Sequence, residues 1–176
     1  MNECMNGNIR MLLKEEVTGM ETVKIIQFNA AKCKGHYDCE RACSQVHFKD
    51  DIGGEHSAIR IIRTTETDGG GPGGDDYVMT NCNHCGLCID MCPVQAIKRL
   101  PNGNVILNKN ICVGCQACVA FCSRNVMRKA VDRIEPFKCI SCGACVKACP
   151  EGALELVEVK IADVSEEVYS RQGVCE

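Results

Sequence analysis

Apolar positions in this chain come in short runs, each the length of a strand. VKIIQF (23–28), IRIIRT (59–64) and YVMT (77–80) are rich in β-branched and aromatic residues, which suits short strands. KRLPNGNVIL (98–107) sets two apolar runs either side of Pro-Asn-Gly-Asn, a hairpin signal, and ALELVEVKI (153–161) alternates well enough for a further strand. Helical periodicity is scarce: segments such as CIDMC and CVKAC have room for a turn or so of helix. DGGGPGGDD (68–76) can build neither helix nor stable strand and reads as a loop that is flexible or ordered only by a partner. The first 20 residues precede a second methionine, Met20, and read as an extension, disordered or wrapped around a partner, with the fold beginning beyond them. No run approaches the roughly 18 apolar residues of a membrane span.

Cysteine changes this picture. The 176 residues include 17 cysteines but no Trp, and aromatics make up only 4%. A chain so poor in bulky core residues needs staples, either disulfide or metal. The N-terminal stretch has no apolar core of a secretory signal and no twin-Arg pair, so the expected setting is cytoplasmic and reducing, where patterned cysteines mean metal or redox chemistry. Formal charge is −3, with no basic cluster interleaved with aromatics, which argues against nucleic acid.

Fifteen of the cysteines fall into four blocks, 33–43, 82–92, 112–122 and 139–149; Cys4 and Cys175 remain outside, as expected terminal thiols. The blocks share one frame, C-x2-C-x2-C-x3-C, except that CKGHYDCERAC carries His36 at the second ligand place. CNHCGLCIDMCPVQAI and CISCGACVKACPEGAL match beyond their cysteines, which marks an internal repeat. Three sulfurs at this spacing sit on a tight loop whose N–H groups point inward, suiting three corners of a [4Fe–4S] cluster; the fourth cysteine serves the other cluster in two-cluster ferredoxins. Structural zinc instead takes cysteines in pairs with a longer spacer. The expected cofactors are three [4Fe–4S] clusters on complete cysteine sets and a fourth with His36 as an unusual ligand. No nucleotide loop, flavin fingerprint or nucleophile–base set is present, so no catalytic residue is assigned.

Blocks two and three resemble a bacterial two-cluster ferredoxin. Over residues 22–160 the whole layout resembles the four-cluster electron-transfer subunits of the dimethyl sulfoxide reductase, formate dehydrogenase and hydrogenase families. It is also similar to the small subunits of tungsten enzymes of the aldehyde ferredoxin oxidoreductase type, including class II benzoyl-CoA reductases. The resemblance implies an α+β, tandem bacterial-ferredoxin-like fold with pseudo-symmetric paired motifs. It pairs block two with three and block one with four, and each pair holds one Cys-Pro and one Cys-Ser ending. The implied inner sets are Cys82, Cys85, Cys88, Cys122 and Cys112, Cys115, Cys118, Cys92. The outer sets are Cys139, Cys142, Cys145, Cys43 and Cys33, His36, Cys39, Cys149. The implied layout is an extension at 1–20, a four-motif domain at 21–160 (inner pair 77–130, outer pair from 22–50 and 131–160) and a second extension at 161–176.

The implied function is one-electron relay between an external ferredoxin or other donor or acceptor and a large molybdenum or tungsten catalytic subunit, in an anaerobic setting. A hydrogenase-associated carrier, a free polyferredoxin and a redox or iron sensor are the alternatives. At His36 the choices are an imidazole ligand, a [3Fe–4S] cluster, a ligand borrowed from Cys4 or Cys175, or an empty site. An imidazole would make its cluster less negative and easier to reduce, as in Rieske centres. His84, inside the second loop, reads as a tuning residue and not a ligand, because Cys82 and Cys85 already supply the sulfurs. His47 and His56 read as surface or interface residues. Lys98, Arg124 and Arg128 follow cluster loops and read as solvated surface that could offset cluster charge.

Overall fold

The computed structural model describes residues 22–50, 52–64 and 76–165. The expected extension at 1–20, residues 166–176 of the expected extension at 161–176, Cys4, Cys175 and most of the Gly-rich loop lie outside the described residues; Asp76, the last residue of that loop, begins a strand.

Three antiparallel two-stranded sheets form the frame. Strand β1 (Thr22–Phe28) pairs with β6 (Leu154–Lys160), β2 (Arg60–Thr64) with β3 (Asp76–Thr80), and β4 (Ile97–Arg99) with β5 (Val105–Leu107). All five strand segments expected from the apolar runs and the hairpin signal are thus present. The β1–β6 ladder runs in register from Thr22 opposite Lys160 to Phe28 opposite Leu154, so the two ends of the described region lie side by side. β1 is covered on both faces. Val23 packs with Ile161 and Val164, where a helical turn begins, while Ile26 and Leu154 face the cysteine-rich core. Burial of each such side chain contributes about 1.5–3 kcal/mol.

Each block runs from a loop into a helix. Blocks two, three and four give α2 (Leu87–Asp90), α3 (Ala117–Ala120) and α4 (Ala144–Ala148), each about one turn, as the sequence suggests. Block one differs: α1 (Asp38–Phe48) runs for 11 residues. Pro93 and Pro150 follow the last cysteines of blocks two and four and cannot continue a helix. After block three the chain turns out at Asn125, which adopts a left-handed conformation (φ 52°). Block one has no such break, and SQVHF carries the helix onward. Helices α1 and α4 pack together, as do α2 and α3.

The main core combines Ile26, Ala58, Ile59, Ile61, Val126, Ala130, Phe137 and Leu154 with the buried Cys39, Cys43, Cys82, Cys139 and Cys145. Two of the few aromatic residues meet at its edge: Phe48 meets Phe137 edge-on at 4.9 Å, stacks on His56 at 4.1 Å and carries the Arg133 guanidinium 3.6 Å above its ring. Cysteine occupies much of the space that aromatic side chains fill in an ordinary core.

Candidate functional site

All four loops repeat one backbone conformation. The residues two and four places after the first cysteine are left-handed in every block: Gly35 and Tyr37, His84 and Gly86, Gly114 and Gln116, Ser141 and Gly143. Four of these eight carry a Cβ, which this region disfavours, so the loops hold a conformation that local preference would not choose. Block one keeps this conformation around His36. The imidazole position is exposed, as are the matching Cys115 and Cys142.

Backbone donors point at the sulfurs. The His84 N–H donates to Cys82 Sγ at 3.3 Å and the Ser141 N–H to Cys139 Sγ at 3.4 Å. The last cysteines receive a matching set. Ala96, Val126 and Ala153, four residues on, donate to Cys92, Cys122 and Cys149 at 3.2, 3.4 and 3.3 Å. Each turn closes through a left-handed residue, Gln95, Asn125 or Gly152. In block one α1 continues past that point, and Cys43 Sγ accepts instead from the Ala58 N–H at 3.3 Å.

The thiols surround cavities. One is lined by Cys82, Cys85, Cys88 and Cys122, a second by Cys33, His36, Cys39 and Cys149, and a third by Cys43, Cys139, Cys142 and Cys145. Cys112, Cys115 and Cys92 lie close enough to Cys118 to act on its charge. Burial, foremost, pushes the thiols of Cys39, Cys88 and Cys139 up to about 12 and Cys118 up to about 11, and neighbouring sulfurs add to the rise; Cys145 is raised as well. Such thiols release their protons when a cation binds them. Among the described residues no three His, Cys, Asp or Glu side chains converge tightly enough to hold a single metal ion. Four sulfurs spaced around a cavity, with N–H groups directed at them, fit a [4Fe–4S] cluster.

Neighbouring sets lie close enough to act on one another's charge. Cys118 acts on Cys88, Cys82 on Cys139, and Cys39 on Cys145. The sets therefore follow in the order Cys112, Cys82, Cys139, Cys33, each named by its first cysteine.

His84 is almost fully buried and makes no place for itself in the ring of sulfurs. Its Nδ1 accepts from the Val105 N–H at 2.9 Å, and its Nε2 lies 2.9 Å from Ser141 Oγ. Burial first, then the charges of Lys138 and Arg99, hold its pKa down at about 3, so the ring is neutral and Nε2 carries the proton. Lys138 is buried beside it, with Nζ 3.4 Å from Cys82 Sγ. Nothing in the sequence singles out this lysine, which reads as one more polar residue before a cluster loop.

His47 is partly buried at the cavity of the Cys139 set, with its pKa lowered to about 4 by burial and then by Arg133, Lys109 and Lys138. His56 Nδ1 pairs with Asp50 at 2.6 Å, and the same carboxylate accepts from Ser44. Arg128 donates to Thr80 Oγ1 at 2.9 Å, Arg124 lines the cavity of the Cys82 set, and Lys98 is exposed on β4.

Comparison with known proteins agrees with this chemistry. Family models described as 4Fe-4S dicluster domains match residues 104–150 and 138–176, and a 4Fe-4S binding domain matches residues 76–98. An uncharacterized ferredoxin of Methanocaldococcus jannaschii is 31% identical over 155 residues, covering 87% of this chain and 79% of that protein. This protein belongs to the 4Fe-4S ferredoxins. The ferredoxin is also 29% identical over 126 residues to a subunit of the anaerobic dimethyl sulfoxide reductase of Haemophilus influenzae, covering 64% of this chain and 58% of that one. It is 32% identical over 98 residues to the thiosulfate reductase electron transfer subunit of Salmonella typhi, covering 54% and 50% respectively. The ferredoxin thus spans between half and three-fifths of these two reductase relatives.

Proposed function

We propose that this ferredoxin relays single electrons along four [4Fe–4S] clusters to or from a larger catalytic oxidoreductase subunit. The observation that carries the reading is the set of cavities lined by cysteine quartets or by three cysteines and His36, with neighbouring sets close enough to act on one another's charge.

Cys112, Cys115, Cys118 and Cys92 hold the first cluster of the line, and Cys82, Cys85, Cys88 and Cys122 the second. Cys139, Cys142, Cys145 and Cys43 hold the third. Cys33, Cys39 and Cys149 hold the fourth, with His36 as its remaining ligand. Each set takes its last thiol from the paired block, so the pseudo-symmetric halves close on each other, and the pairs sit on α2 with α3 and on α1 with α4. When bound, the clusters supply one-electron oxidation and reduction, the chemistry this protein's side chains lack. Its residues provide thiolates, direct N–H groups at the sulfurs and bury six of the fifteen described cysteines. His36 puts an imidazole at one end of the line. The other end is rimmed by exposed Ile111, Val113, Phe121 and Ile134, an apolar surface suited to a protein partner.

The named roles of the reductase relatives support a larger catalytic partner; that it carries molybdenum or tungsten is what the resemblance implies. The likeness to the archaeal ferredoxin favours a second reading, a free polyferredoxin. No helix among the described residues is long and apolar enough to cross a membrane, so either form works without such a helix from this region. Affinity capture of the tagged protein from anaerobic cells separates the two readings. A larger copurifying subunit with stoichiometric molybdenum or tungsten is expected; a monomer that exchanges electrons at full rate would reject the subunit reading.

A further inference from the structure

Lys138 lies where the second and third ligand sets meet. It precedes Cys139 of one set, and its side chain reaches Cys82 of the other. Only 4% of the residue is exposed. An ammonium has three donors and no acceptor, and here there are three acceptors: Cys82 Sγ at 3.4 Å, His84 Nδ1 at 3.2 Å and the Cys139 carbonyl oxygen at 3.4 Å. The Nδ1 lone pair is shared with the Val105 N–H, so the sulfur and the carbonyl oxygen are the acceptors Lys138 has to itself.

Among the described residues no carboxylate balances this charge. No ion pair described for this region includes Lys138, and its neighbour His84 accepts the Val105 N–H at Nδ1, as a neutral imidazole does. A buried cation without a counter-charge is strongly disfavoured. The groups that can supply negative charge at this place are the sulfurs. Lys138 contacts both sides of the junction: its Nζ reaches Cys82 Sγ of one set and the carbonyl oxygen of Cys139 in the other. His84 bears on its position: the protonated Nε2 is committed to Ser141, and the single Nδ1 lone pair, which accepts from the Val105 N–H at 2.9 Å, also faces the amine at 3.2 Å. Ser141 in turn directs its N–H at Cys139 Sγ. A short network, Cys82–Lys138–His84–Ser141–Cys139, therefore spans the two sets.

We infer that Lys138 is a buried counter-charge that raises the reduction potential of the cluster held by Cys82, Cys85, Cys88 and Cys122, with His84 as its positioning residue. The inference rests on the relay reading above. Adding one electron to that set increases its negative charge by one with no accompanying proton, so a fixed cation in contact with a ligand sulfur favours the reduced form. Its contact is with the second set's sulfur, while toward the third set it reaches a carbonyl oxygen, so the larger effect falls on the second.

The test is a redox titration of the anaerobically purified full-length protein, followed by electron paramagnetic resonance, with iron measured per protein molecule. Lys138→Met keeps the length and removes the charge; Lys138→Arg keeps the charge. One midpoint potential is expected to fall in K138M and to stay near the wild-type value in K138R. Loss of about four irons from K138M but not from K138R supports the same role, because the retained charge rescues the site. Loss from both, or a full iron content with unchanged potentials in K138M, overturns it. A wild-type protein without cluster signals would overturn the relay reading and this inference together, whereas normal wild-type signals with no shift in K138M overturn the role of Lys138 alone.

Discussion

At the scale of single residues, His36 carries the most consequence. Its loop has the same two left-handed positions as the three all-cysteine loops, and its cavity gathers three thiols. Around the ligand loop the altered block keeps the conformation of an intact one, so within that loop the difference lies in the donor atom. A neutral imidazole in place of a thiolate leaves the cluster less negative. His36→Cys is therefore expected to lower one midpoint potential in a redox titration with iron content unchanged; four unaltered potentials would show that His36 binds no iron. The sequence displays this residue openly, because three complete copies of the frame define what its place is for. Lys138 is hidden for the opposite reason. Its role comes from burial and from a contact with Cys82, 56 positions away, and neither leaves a local pattern.

At the scale of elements, strands are more legible than helices. VKIIQF and ALELVEVKI announce β1 and β6, but not that they pair with each other across most of the sequence. The 11 residues of α1 exceed the turn expected of a cysteine block, because the breaker after the last cysteine is a proline in blocks two and four and is missing in block one. The hairpin signal at Pro-Asn-Gly-Asn is sound, and its glycine has a second duty. Gly103 has φ of +80°, and a Cβ there would fall on the Thr22 carbonyl oxygen and within 2.8 Å of Val23 Cβ. The β4–β5 turn thus seats directly on the backbone of β1. Gly103→Ala should cost about 2–4 kcal/mol through strain and overpacking, read as a clear drop in the thermal midpoint of the cluster-loaded protein. An unchanged midpoint would mean that the turn does not bear on β1.

At the scale of the molecule, four loops of one backbone conformation are joined by three two-stranded sheets. The spacing of cysteines makes the four sets legible as chemistry, and the resemblance to multi-cluster subunits suggests how the blocks pair. The order of the sets along the line is not legible, because it depends on how α1 packs with α4 and how Cys82 approaches Cys139. That order puts the imidazole-bearing site at one end and the apolar rim of Ile111, Val113, Phe121 and Ile134 at the other. The central claim is that all four sites carry clusters. Iron per molecule of anaerobically purified protein tests it most directly: the account predicts about 16, and a value of about 12 or fewer would contradict it.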